Sequence, residues 1–251
     1  MKYHETLWSD VFPGNAHTVH CLRPAVRATE NAFDFAPERR KRIVWRLDGG
    51  AGSEAEMQWL VARGYQILAK GINYNRAAKL GRQVKRWDLF AENIWLGAAS
   101  PPDTYARPVR VLVQRKWEKE HYHHTYYVTT LAFNSKKLFQ TLYNARGAAE
   151  IEQFRNDKSG LGLQARRKRS FLGQKAYILL TDLTHNLLAD FQRRGLAGSK
   201  FAGYGPKRIV RDLLNIPGRL VFEAGELSRI ELSRKQNSME LLKCLRRYQE
   251  A

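Results

Sequence analysis

Residues 42–71 read RIVWRLDGGAGSEAEMQWLVARGYQILAKG, and their pattern decides the fold class. Ile43 to Leu47 predicts a strand, Asp48 closes it, and Gly49-Gly50-Ala51-Gly52 turns the chain. Ser53 with Glu56 three residues on predicts a capped helix carrying Met57, Trp59, Leu60 and Val61. Gly64 stops that helix, and Tyr65 to Lys70 predicts a second strand. Strand, helix and strand within so short a span imply a parallel pair buried on both faces, hence an α/β fold. Sheets of this kind place ligands at the carboxyl ends of their strands, and Asp48 stands there. The glycines let a metal or phosphate come close to the backbone. A structural aspartate bonding the turn amides is the competing reading. The segment Gly50 to Ala55 also fits the loose dinucleotide pattern G-x-G-x-x-A. However, Lys70 and Gly71 occupy the place of the ribose acid, and Glu54 and Glu56 would face a pyrophosphate.

Outward from this unit, residues 1–15 read as extended up to the turn Phe12-Pro13-Gly14-Asn15. A helix is expected from His17 to Phe33, kinked or restarted at Pro24, followed by a basic connector, Arg39 to Arg42. From Gln83 to Phe133 the pattern is strand-like, with Trp87, Leu89, Ile94, Trp95, Val109, Val111, Val113, Tyr126 and Val128 as its apolar positions. This reads as a β insertion. Asn134 or Ser135 is placed to cap a helix interrupted at Gly160 and Gly162, and Phe171 to Arg194 predicts a strongly apolar helix. The tail predicts strands at Arg219–Phe222 and Ser228–Leu232 and a last helix to about Arg247.

Composition narrows the function classes. The 251 residues carry a formal charge of +19, which favours polyanions by counterion release, nucleic acid first. No clean basic amphipathic helix with an apolar insertion face points to a membrane surface, and no apolar run is long enough to span a bilayer. The N-terminus MKYHETLWSD lacks an apolar h-region, and Cys21 and Cys244 lie far apart, so a reduced cytoplasmic, nucleoid-associated setting is expected.

The second stretch of interest is 143–158, YNARGAAEIEQFRNDK. On a helix Tyr143, Arg146, Glu150 and Asp157 share one face, a poor composition for a core-facing surface. The alternative is a solvated helix with Leu138, Leu142 and Ile151 inward. His121 and His123 share a strand face, but no third ligand nearby completes a zinc set, and surface or strand-edge histidines are the simpler reading. Arg166, Arg167, Lys168 and Arg169 suit phosphate contact in so basic a chain, and His185-Asn186 reads as a buried, hydrogen-bonded structural pair.

These residues carry a resemblance. The run 42–71 resembles the second-aspartate block of bacterial insertion-sequence DDE transposases, whose catalytic domain is RNase H-like. Tyr143, Arg146 and Glu150 match that group's signature Y-x2-R-x3-E-x6-K, and the runs DKSGLGLQARRKRSFLGQKAYILLTDLTHNLL and KRIVRDLLNIPGRLVF are similar to its downstream segments. The resemblance implies an RNase H-like mixed sheet flanked by helices, with a β-strand insertion. It implies Asp48 and Glu150 as catalytic and metal-holding acids for Mg2+ or Mn2+. It further implies Tyr143, Arg146, Lys158 and the 166–169 run as contacts to double-stranded DNA at transposon ends and target, with a homodimer as a possible state. The signature lysine falls on Asp157, with Lys158 next, which leaves Glu152 as a rival third acid. The family's first aspartate, on the first strand of its fold, has no counterpart, since neither Asp10 nor Asp34 ends a convincing strand. The chain therefore reads as a C-terminal portion lacking its N-terminal strand or strands, able to bind DNA but inactive alone. The expected division is 1–82 partial core, 83–133 β insertion, 134–195 helices with the catalytic Glu, and 196–251 basic extension. The alternative function is a basic DNA- or RNA-binding protein without chemistry.

Overall fold

The computed structural model describes residues 5–132, 136–164, 169–233 and 237–250, with the side chains of 138 and 145–154 outside the description. The chain forms two compact units, Phe12–Ala148, and Met1–Val11 together with Ala149–Ala251.

In the first unit α1 (Thr18–Phe33) runs through Pro24 as one helix and ends at Asp34 in the left-handed region. A four-residue helix, α2 (Pro37–Arg40), leads into β1 (Val44–Leu47), α3 (Glu54–Ala62) and β2 (Gln66–Lys70). β1 and β2 are parallel, with Trp45 opposite Ile67, as the sequence pattern predicts. Ile67, Leu68 and Ala69 are fully buried, so β2 does have both faces covered. The cap is half of a capping box. The Glu56 amide donates to Ser53 Oγ at 3.3 Å, but the Glu56 carboxylate accepts from Arg23 Nε at 3.0 Å.

Next come α4 (Tyr74–Gln83) and the strands β3 (Trp87–Ala91), β4 (Ile94–Ala99), β5 (Arg110–Glu118) and β6 (His121–Thr129). The sheet order is β1-β2-β6-β5-β4-β3, with β6 antiparallel to β2 through Leu68 opposite Thr129. The four strands between 83 and 133 are thus continuous with the parallel pair in one six-stranded mixed sheet. The sequence pattern missed α4, which Asn73 caps by accepting the Arg76 amide at 3.0 Å. Gly81 lets this helix lie flat on β6, since a Cβ there would stand 2.6 Å from the His124 ring.

One face of the sheet carries the larger core, Val26 of α1, Met57 and Leu60 of α3, Ala77 of α4, and Val113, Tyr126 and Val128 of the strands. On the other face Leu68, Leu96, Leu112 and Tyr127 pack against Phe139 and Tyr143 from the first half of α5 (Lys136–Gly160). A mixed sheet flanked by helices is the RNase H-like class that the resemblance implies. The buried Glu30 carboxylate ties the periphery, accepting from Tyr65 Oη at 2.8 Å and from Arg63 Nε at 3.0 Å. Arg40 joins it at 3.5 Å, so one arginine of the basic connector is an internal tie.

The second unit holds the rest of α5, α6 (Phe171–Arg194), the three-residue α7 (Pro206–Arg208), a π-helix (Ile209–Leu214), the hairpin β7 (Gly218–Glu223) and β8 (Glu226–Leu232), and α8 (Ser238–Glu250). Its core is Leu188, Phe191, Leu196, Phe201, Ile209, Leu213, Leu241 and Cys244. The extended start of the chain lies along α6. Thr6 N donates to Asn186 Oδ1, and Asn186 Nδ2 donates to Thr6 O, both at 2.8 Å. Both cysteines are free thiols, and no helix among the described residues is long and apolar enough to cross a membrane.

Candidate active site

Asp48 follows the last residue of β1, and local geometry fixes it. Its Oδ1 accepts the Gly50 amide at 3.0 Å and the Ala51 amide at 3.3 Å. The turn that bends back over the end of β2 requires Gly52, where a Cβ would stand 1.7 Å from the Lys70 carbonyl oxygen. Both sequence readings of Asp48 therefore meet in one residue. It bonds the turn amides, and it remains exposed at the strand end. A carboxylate has about four lone-pair sites, so two amide bonds to one oxygen leave acceptor capacity for a cation.

Asp48 lines an open cleft of about 700 Å³ on the α5 side of the sheet, with Lys70, Gln114, Lys116, His123, Gln140, Tyr143 and Asn144 among its walls. Tyr143 is buried, stacks edge-on against Tyr127 at 4.8 Å between ring centroids, and donates its hydroxyl to the Leu47 carbonyl at 3.2 Å. This bond pins the first half of α5 to the residue preceding Asp48. A polar wall continues from it. Tyr127 Oη donates to Gln114 Oε1 at 2.8 Å, and Gln140 Nε2 contacts the same oxygen at 3.3 Å and Asn144 Oδ1 at 3.2 Å. Burial raises the Tyr127 hydroxyl pKa, so at neutral pH it stays a neutral donor.

The side chains of Arg146, Glu150 and Glu152 lie outside the description, as do residues Arg166, Arg167 and Lys168. Lys158 and Arg169 are exposed. Asp157, expected on the face of Tyr143 and Arg146, is buried in the second unit, with its Oδ1 2.8 Å from His185 Nδ1. The acid at the signature's lysine position is thus an interior hydrogen-bonding partner, and Lys158 is the exposed cation beside it. His121 and His123 stack at 4.1 Å, and His123 reaches the cleft wall. His124 is drawn beneath α4, where burial, then the nearby Arg115 charge, push its pKa down. Among the described residues no group of three or more His, Cys, Asp or Glu is placed to hold a metal ion.

The sequence reading missed Lys70, Gln114, Lys116, Gln140 and Asn144. Lys70 carried a signal, because the end of a parallel neighbour strand must lie beside Asp48. The others become neighbours only through β6 pairing with β2.

A mixed sheet with an acid at the end of a parallel strand, in a cleft rimmed by lysines and amides, is the architecture of a DDE-type nucleic-acid-processing domain. The family model for transposase DDE domain group 1 matches residues 6–250, and the chain belongs to that family. A search of curated proteins gives no match.

Proposed function

We propose that the cleft at Asp48 binds double-stranded DNA, and that Asp48 and Glu150 are the acids that hold Mg2+ or Mn2+ for strand cleavage and transfer in transposition. The observation that carries this is the fixing of Asp48: turn amides hold one oxygen, Tyr143 anchors α5 to the preceding residue, and Lys70 and Lys116 line the same opening. The donor set fits a hard cation, since magnesium takes carboxylates together with phosphate and water oxygens. When bound, the metal supplies charge stabilisation for the oxygens of an in-line displacement at a phosphodiester. The chain's own residues do the rest. Lys70 and Lys116 draw the backbone phosphate, and the Gln114–Gln140–Asn144 wall offers amide donors to a strand. Tyr143 acts by positioning, through Leu47, and Arg146, Lys158 and the 166–169 run extend the phosphate contacts.

Two acids hold a pair of ions poorly, because the ions must stay about 3.5–4 Å apart. β1 is an edge strand of the sheet, so the side of Asp48 away from β2 has room for one further strand carrying an acid. We infer that the 251-residue chain binds DNA without cleaving it. The test pairs a binding assay on labelled duplex with Mg2+- and Mn2+-dependent nicking of supercoiled plasmid. Binding without nicking is expected. Nicking abolished by Asp48→Asn would support the metal assignment and overturn the inferred inactivity. The absence of any DNA binding would overturn the whole reading.

A further inference from the structure

The run 207–222 resembles the family without a role attached to it, and its first half builds a second cleft. An opening of about 610 Å³ in the second unit is lined by Lys200, Tyr204, Arg208, Arg211, Asp212, Asn215, Ile216 and Asn237. The backbone there is unusual. Ile209–Leu214 is a π-helix, an element that accounts for well under 1% of residues and is found frequently at functional sites. Its wide turn brings Arg208, Arg211, Asp212 and Asn215 to one opening.

The cations are held in place. The Arg208 guanidinium lies 3.6 Å from the centroid of the Tyr204 ring, and Lys200 Nζ lies 5.2 Å from that of Phe201. Arg211 reaches both oxygens of Asp212, at 2.5 and 2.9 Å, and Arg208 meets the same carboxylate at 3.5 Å. Two guanidiniums and one ammonium thus stand against a single carboxylate, which leaves two positive charges. A planar guanidinium stacked on a ring, with its N–H edges directed outward, is the arrangement that recognises a phosphate. The two asparagines add neutral donors, and so does the Tyr204 hydroxyl.

We propose that this cleft seats a backbone phosphate of duplex DNA, as a docking point separate from the cleft at Asp48. This rests on the DNA-binding reading above and adds a second contact to it. The test is the salt dependence of the full chain's affinity for a short labelled duplex, read by fluorescence anisotropy. Replacing Arg208 and Arg211 together by alanine should lower the log–log slope by about 1.8, that is about 0.9 for each of two phosphate contacts. Far-UV circular dichroism should be unchanged, since both side chains are exposed. Asp212→Asn should move affinity the other way and tighten binding. An unchanged slope in the double variant of a protein that does bind DNA would overturn this inference alone. Failure of the unsubstituted chain to bind DNA would remove the DNA reading and this site with it. Inorganic phosphate at constant ionic strength tests the other source of the same chemistry. If it raises the melting temperature of the unsubstituted chain but not of the double variant, and the DNA slope is unchanged, the site takes a small free anion and DNA docking is overturned.

Discussion

The two units solve the problem of stability in opposite ways. The sheet-bearing unit buries a strand on both faces and keeps its charges at the rim, where Glu30 gathers Arg40, Arg63 and Tyr65. The other unit buries a polar pair, Asp157 and His185, while α6 leaves Leu172 77% and Leu180 62% exposed. A catalytic acid needs fixed backbone, and Asp48 sits on the unit that has it. The comparison also says where each unit breaks. The first should fail by overpacking and the second by loss of a hydrogen-bonded partner.

The largest effect is expected at Gly52. A methyl group there meets the Lys70 carbonyl oxygen at 1.7 Å, so backbone must move, and Gly52→Ala should cost about 4 kcal/mol. Tryptophan fluorescence in urea reports it, because five of the six tryptophans belong to this unit. Gly203→Ala, in the second unit and with nothing within 4 Å, should stay within about 0.5 kcal/mol. Equal losses at the two positions would erase the contrast in packing.

Next in size is His185→Ala, which leaves the buried Asp157 carboxylate without its partner and should cost about 3 kcal/mol. The loss should appear in the helical far-UV signal before the tryptophan signal. Simultaneous loss of both signals would show that the units unfold as one body. Ser53→Ala removes the α3 cap and should cost about 1 kcal/mol, read in the tryptophan signal.

These expectations rest on local features that differ in how far they could be read in advance. The strand, turn, helix and strand of 43–70 were legible because caps, glycine stops and apolar runs act over a few residues. α4 was not, because only Ala77, Leu80 and Gly81 are buried among basic residues, and the weight of its call lies in the Asn73 cap. The continuity of the sheet depends on pairing β2 with β6, some sixty positions apart, for which no local pattern exists. The same distance effect hid the cleft wall of Gln114, Gln140 and Asn144, whereas Asp48 announced itself by position. Asp157 was misplaced for a related reason. Helical periodicity gives the face of a residue on its own helix, but not the His185 that waits for it on another.

The smallest effects concern pH and should have opposite signs in the two units. Burial works to raise the Glu30 pKa, but hydrogen bonds from Arg63 and Tyr65 outweigh it and hold the carboxyl below its ordinary 4.5. A depressed folded pKa gives stability that is present above 4.5 and lost as pH falls through the folded value. Asp182 is shifted the other way, chiefly by burial, from an ordinary 3.8. Its contribution is present below 3.8 and is lost as pH rises through the folded value, so it weakens the second unit at neutral pH. Glu30→Gln should therefore flatten the acid loss in urea midpoint of the first unit. Asp182→Asn should slightly raise the neutral-pH stability of the second, and a fall instead would mean that the carboxylate has a charge-dependent partner.

The central claim is that Asp48 holds a divalent metal in a DNA-binding cleft. Isothermal titration of Mn2+ into the protein–DNA complex tests it most directly, with Asp48→Asn beside the unsubstituted chain. A bound ion is expected, with affinity lowered in Asp48→Asn by more than the roughly tenfold that loss of an outer-shell partner costs, while DNA affinity stays the same. Equal Mn2+ affinity in the two proteins would contradict the claim and leave Asp48 as a turn-forming residue only.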